Sequence, residues 1–166
     1  MTRHLRDAAE QDRSAIRDLH ANSWRRHYAD VLPAEALDDS LDHAMTAKWA
    51  ERDFALPDFG LIVEEGSVVL GFVYVLSDRT PPLIDNLHVT TDMQSHGIGS
   101  VLLSAAFDRL RALGKTDAML TVLSGNERGV AFYRRMGGRE IAPEQGAILG
   151  HPVVERRLVF DLGGAT

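Results

Sequence analysis

Gly97 and Gly99 stand two residues apart in "DMQSHGIGSVLLSAAFDRLRALG", residues 92–114, between the apolar run "LIDNLHV" and a strong helical pattern. The N-terminus of a helix exposes unpaired backbone N–H groups and a partial positive charge. Without Cβ atoms there, a phosphate can come close to those donors, so strand–Gly-x-Gly–helix is an anion cradle. A P-loop would need Gly-Lys-Ser/Thr, and Gly99 is followed by Ser100 and Val101. A dinucleotide fingerprint would need a third glycine where Leu102 stands. What remains is Gln-x-x-Gly-x-Gly, formed by Gln94, Gly97 and Gly99. The plain alternative is a glycine turn that serves only helix–strand packing.

Other chemistries are narrowed by what the chain lacks. It has no cysteine, which excludes disulfides, cysteine-ligated zinc and a cysteine-bound acyl intermediate. Its 7 histidines show no tight metal spacing; His20 and His27 share a helical face but lie too far apart for adjacent-turn ligation, so no metal is expected.

The Gln94–Gly97–Gly99 loop resembles the pyrophosphate-binding loop of the GCN5-related N-acetyltransferases, the GNAT superfamily. Downstream, "TVLSGNERGVAFYRRMGG" supplies Asn126, Tyr133 and Gly137, which are similar to the family's asparagine, helical tyrosine and following glycine. The upstream "RDAAEQDRSAIRDLHANSW" resembles the family's opening strand and helix. The chain departs from the pattern at Gly138, where the family usually has an aromatic residue, and at Leu83, where many members carry a glutamate base.

The resemblance implies acetyl-CoA as co-substrate and an amine as acceptor, joined by direct attack in a ternary complex. It implies that the backbone of Leu87, His88 and Val89 pairs with the pantetheine arm. The pyrophosphate would lie on Gln94, Ser95, His96, Gly97, Ile98, Gly99 and Ser100, with Asn126 and Tyr133 beside the cofactor. The Val89 amide would hold the oxyanion, and Tyr133 would serve the departing thiolate. Asp85 replaces the missing glutamate as candidate base, with Glu144 as a weaker alternative in a loop between the last strands. Trp24 and Tyr28, with His27 nearby, would wall an acceptor pocket for a cationic amine, or else pack the core as an i, i+4 pair. Arg134 and Arg135 would meet an adenosine phosphate or close a solvated helix end. A non-catalytic acyl-CoA sensor and, last, a nucleotide-binding protein are the rival readings; homodimers are common in the superfamily.

The elements that must position these residues follow from periodicity. "TRHLRDA" reads as a strand, and Ile16, Leu19, His20, Ser23, Trp24, His27 and Tyr28 trace one helical face. Pro33 suits the first turn of a second helix, along which Leu37, Leu41, Met45 and Trp49 recur. "FGLIVEE" and "SVVLGFVYVLSD" form a hairpin about Glu65-Gly66, and "LIDNLHV" is the next strand. The glycine-led helix ends at Gly114, "AMLTVLS" is a buried strand, and Asn126 caps a helix stopping at Gly137. Strands around "REIAP" and "PVVERRLVFDL" finish the chain. The predicted architecture is α/β with a GNAT-like fold: a mixed, mostly antiparallel sheet of six or seven strands covered by about four helices.

At 166 residues the chain suits one domain, 1–166, and its 45% hydrophobic and 25% charged residues are ordinary for a globular protein. A net charge of −6, from 18 basic and 24 acidic residues, argues against nucleic acid as partner. The charged start "MTRHLRDAAEQDRSAI" and the lack of long apolar runs predict a cytoplasmic protein without membrane contact.

Overall fold

Apolar side chains alternate along Val68–Leu76, and that alternation divides the interior in two. The computed structural model describes residues 2–163. Met1 and residues 164–166 of the expected domain lie outside them. In chain order the elements are β1 (Arg3–Asp7), α1 (Arg13–His27), α2 (Asp39–Glu51), β2 (Phe59–Glu65), β3 (Val68–Leu76) and β4 (Leu83–Val89). These are followed by α3 (Ile98–Ala112), β5 (Asp117–Leu123), α4 (Glu127–Arg135), β6 (Arg139–Ile148) and β7 (His151–Asp161). The order and type of every element agree with the sequence reading.

The 7-stranded sheet runs β1-β2-β3-β4-β5-β7-β6. All neighbours are antiparallel except β4 and β5, which are parallel. On one face Phe72, Tyr74 and Leu76 pack against Ile16 and Leu19 of α1 and Trp49 of α2. On the other, Val73, Val75 and Ile84 meet Leu102, Leu103 and Leu110 of α3, with Leu158 and Phe160 of β7.

Two features of β4 shape the centre. Its register with β3 shifts at Tyr74/Val75, with Tyr74 opposite Asn86 and Val75 opposite Ile84, so Asp85 is left as an unpaired bulge residue. The Asn86 amide then reaches the Asp85 carboxylate at 2.9 Å. Toward β5, β4 is registered only at Leu83 with Met119, and beyond that point the two strands part.

Two expectations need correction. Pro33 precedes a separate 3-10 turn, Ala34–Leu37, and α2 starts later because the Asp38 side chain accepts the Ser40 N–H at 3.3 Å. Glu144 lies within β6, opposite Glu155 of β7, and not in a loop. The interrupting Pro143 falls in the irregular register between Ile141 and Glu144, where its missing N–H removes no ladder bond.

Candidate active site

Gly97 caps α3 with φ +79°, and a Cβ there would meet nothing within 4 Å. Glycine is needed for this left-handed backbone turn, and it leaves the space before the helix open. The preceding Ser95 also has positive φ, 68°, and its hydroxyl accepts from Arg128 at 2.7 Å. Gly99 differs: its missing Cβ faces the Phe132 ring at 3.3 Å, so it lets α3 and α4 approach.

The amides of Gln94 and His96 are directed at the Thr91 and Met93 carbonyls, at 3.4 and 3.3 Å. Among the described residues, the N–H groups of Gly97, Ile98, Gly99 and Ser100 have no backbone acceptor. These four form the donor set. They open on a cavity of about 480 Å³, lined also by Leu87, Val89, Gln94, Ser95, Asn126 and Tyr133, with Arg128 and Arg135 at its edge. His96 does not line it; its exposed ring bonds the Gln94 carbonyl at 3.0 Å. Arg134 instead pairs with Glu140 at 2.5 Å.

Thr90 donates its N–H to Leu70 of β3 at 2.9 Å. By strand alternation the backbone of His88 also faces β3, while that of Leu87 and Val89 faces the gap toward β5. Of the expected triplet, Leu87 and Val89 are the ones whose backbone groups are not turned toward β3. His88 contributes its ring, which is bonded to the Ser23 hydroxyl at 2.7 Å and stacked on His20 at 4.6 Å. Trp49 donates its indole N–H to His20 Nδ1 at 3.0 Å, leaving the proton of the neutral ring on the buried, unpartnered Nε2. Burial pushes His88 down to about 3 and lowers His20 as well, so both rings are neutral at working pH.

Tyr133 on α4 packs edge-on to Phe132 at 5.2 Å, and burial pushes its phenol up to about 12. Asn126 caps α4 by accepting the Gly129 N–H at 3.0 Å, as its sequence position predicts. A second cavity of about 300 Å³ shares Leu87, His88, Asn126 and Tyr133 with the first. Trp24 and Tyr28, with ring centroids 5.0 Å apart, wall it, and Asp85, Lys48 and Glu155 supply charge. Asp85 Oδ2 is already engaged by Arg52 at 3.1 Å, Lys48 at 3.4 Å and the Asn86 amide. Glu144 lines neither cavity and pairs with Arg157 at 3.8 Å.

Ser23, Lys48, Arg52, Arg128 and Glu155 belong to this region without having been singled out by sequence. Ser23 sits on the helical face traced through His20 and His27; for the others, only their charge was visible. Among the described residues no group of three or more His, Asp or Glu is placed to hold a metal ion, and no helix is long and apolar enough to cross a membrane.

Solved structures share this architecture over nearly the whole chain. A GCN5-related N-acetyltransferase from Rhodopseudomonas palustris has a TM-score of 0.78 and 20% identity, covering 97% of this chain and 96% of its own. The PaiA N-acetyltransferase from Thermoplasma acidophilum, solved with coenzyme A, gives 0.74 and 18%, covering 94% and 98%. YncA from Salmonella typhimurium, solved with acetyl-CoA, gives 0.71 and 20%, covering 100% and 97%. No curated protein matches the sequence significantly. The model of the acetyltransferase (GNAT) family matches residues 14–138, most of the chain, including the Gly97–Ser100 cradle, Asn126 and Tyr133. This chain belongs to the acetyltransferase (GNAT) family.

Proposed function

We propose that the protein transfers an acetyl group from acetyl-CoA to a primary amine on a small molecule or peptide. One observation carries this reading: two cavities, one ending in a cradle of free backbone N–H groups, meet at Leu87, His88, Asn126 and Tyr133. The pyrophosphate binds the Gly97–Ser100 donors, assisted by the Gln94 side chain. The pantetheine arm extends along Leu87 and Val89, whose backbone groups offer the bonds of an added strand. Arg128 and Arg135 meet the phosphates at the cavity's edge.

The thioester then lies where the cavities join, and the amine enters between Trp24 and Tyr28. Its lone pair attacks the carbonyl carbon, and the Val89 N–H receives the oxyanion. As the C–S bond breaks, the Tyr133 hydroxyl hydrogen-bonds the sulfur. A phenol this reluctant to ionise acts by holding and neutralising the thiolate in place. Asp85 serves as an anchor for Lys48 and Arg52, since accepting a proton would forfeit both ion pairs.

The test is release of free CoA from acetyl-CoA with a panel of primary amines, beside thermal stabilisation by CoA, NAD and ATP. Amine-dependent release and stabilisation by CoA alone are expected. CoA binding without release for any amine would replace the enzyme with a sensor, and stabilisation by NAD or ATP instead would remove the cofactor assignment.

A further inference from the structure

We infer that Glu155 is the carboxylate that binds the acceptor's ammonium group and takes its proton before attack, an inference that rests on the transferase reading above. Glu155 lies on β7 two residues beyond Val153, whose side chain packs with Trp24 and Tyr28. Strand alternation brings Glu155 to that same face, and it lines the acceptor cavity together with Tyr133. Among the described residues it has no hydrogen-bond or ion-pair partner, whereas Asp85 and Glu144 both do. A partly buried carboxylate in that state is free to receive a cation that enters the cavity.

Gly146 on the neighbouring β6 supports the same assignment. A Cβ at Gly146 would stand 3.2 Å from Glu155 Cδ and 3.3 Å from its Oε2. The Gly146 backbone does not adopt positive φ, so any residue could take its conformation. A glycine inside a strand weakens it. What it provides here is room for the Glu155 carboxyl group.

The charged and titratable groups around Glu155 favour a proton acceptor. His27 faces the cavity from the end of α1 and Tyr28 from the residue that follows it, Lys48 from α2, Asp85 and His88 from β4, and Tyr133 from α4. From β6, Glu144 stands opposite Glu155, while β5 presents Leu123. Lys48 is tied to Asp85 and Arg157 of β7 to Glu144, so among the described residues no cation is committed to Glu155. Burial, then the charge of Glu144, raise the Glu155 pKa above the ordinary glutamate value, which narrows the gap to an amine.

In the step itself the ammonium N–H bond breaks and its proton passes to a Glu155 oxygen, later to water. The freed lone pair forms the C–N bond, and the C–S pair leaves on sulfur, which is held by a hydrogen bond from the Tyr133 hydroxyl. The remaining proton, shed by the new amide nitrogen, neutralises the thiolate. The sum is ammonium plus thioester giving amide, thiol and one proton.

The experiment compares wild type, Glu155→Gln and Gly146→Ala for CoA release with benzylamine, phenethylamine and putrescine from pH 6 to 10. For the best of these amines, Glu155→Gln should lower kcat/KM at pH 7 by about 100-fold, within the range of a lost general base. Its acetyl-CoA affinity should be unchanged. Wild-type kcat/KM should be level between the Glu155 and amine pKa values, whereas log kcat/KM in Glu155→Gln should climb one unit per pH unit. Gly146→Ala, which displaces the carboxyl group by a few tenths of an ångström, should lower kcat/KM about 10-fold at unchanged acetyl-CoA affinity. It carries the same readout should Glu155→Gln not fold. Equal kcat/KM and pH slope in wild type and Glu155→Gln would overturn the role of Glu155 while leaving the transferase standing. No release by wild type with any of the amines would overturn the transferase reading, and this inference with it.

Discussion

The Gly138 N–H donates to the Tyr133 carbonyl at 2.8 Å, and a Cβ on Gly138 would lie 2.8 Å from that same oxygen. The second cavity-facing helix is thus tied off by a residue that must be bare. Leu158 and Phe160 close the same space, each 3.1 Å from the missing Cβ. Where related proteins are expected to carry an aromatic ring, this chain brings strand and helix together. Gly138→Ala should therefore destabilise by about 1–3 kcal/mol through overpacking. A thermal melt should register this as about 2–4 °C for each kcal/mol. An unchanged melting temperature would show that the β6 entry yields without strain.

Tyr133→Phe retains the ring that packs on Phe132 and removes only the hydroxyl. The expected result is a fall in kcat of about 100-fold, the scale of a lost proton donor, with acetyl-CoA affinity preserved. Because the phenol is pushed up to about 12, no fall in rate from its ionisation should be seen below pH 10. Steady-state kinetics beside calorimetric CoA binding separates the two effects.

Gly97→Val places a β-branched residue at φ +79°. The backbone must either bear about 1–3 kcal/mol of strain or rotate its N–H groups out of the cradle. Acetyl-CoA affinity should fall at least 10-fold while benzylamine KM changes little, which calorimetry and kinetics with saturating acetyl-CoA would resolve.

The stacked His20 and His88 rings couple stability to acidity. Both have folded pKa values below the ordinary 6.5, so their contribution is complete above that pH and is lost as pH falls beneath it. The carboxylates of Asp12, Glu64 and Glu140, lowered from their ordinary values, lose stability only further down. Glu155, raised, pulls the opposite way by one group. The melting temperature should drop between pH 6.5 and 4.5, and His88→Gln should flatten that slope. A level wild-type profile would mean that the rings accept protons within the folded state.

Much of the architecture was legible because most elements carry a clear local pattern. β3 is a short, β-branched apolar run, β5 alternates, α3 repeats its leucines on one face, and Asn126 and Gly97 mark helix starts. The cradle was legible for the same reason: a glycine at a strand-to-helix turn constrains backbone directly. Pairings between distant elements were not. No periodicity tells that Ser23 meets His88, or that Trp49 donates to His20. Pro143 and the polar "PEQG" disguise β6, so Glu144 reads as a loop residue and the carboxylate across from it, Glu155, stays hidden. The bulge at Asp85 depends on register with β3, a property of two strands that neither spells alone. Glu155 escaped notice because "VVERRL" buries Val153 on one face and Leu158 on the other, leaving the charges between them unsorted.

The solitary registration of Leu83 with Met119 makes that junction a fulcrum for the two halves of the sheet. From Leu83 to Val89 the strand reaches about 20 Å, so a tilt of about 3° at the junction swings its tip by about 1 Å. Displacements of that size suffice to ruin a reactive alignment. In the transferase proposed above, the packing of Ile84, Leu120 and Val122, which also line the acceptor cavity, would therefore set the angle at which the acyl carbon and incoming nitrogen are presented to each other.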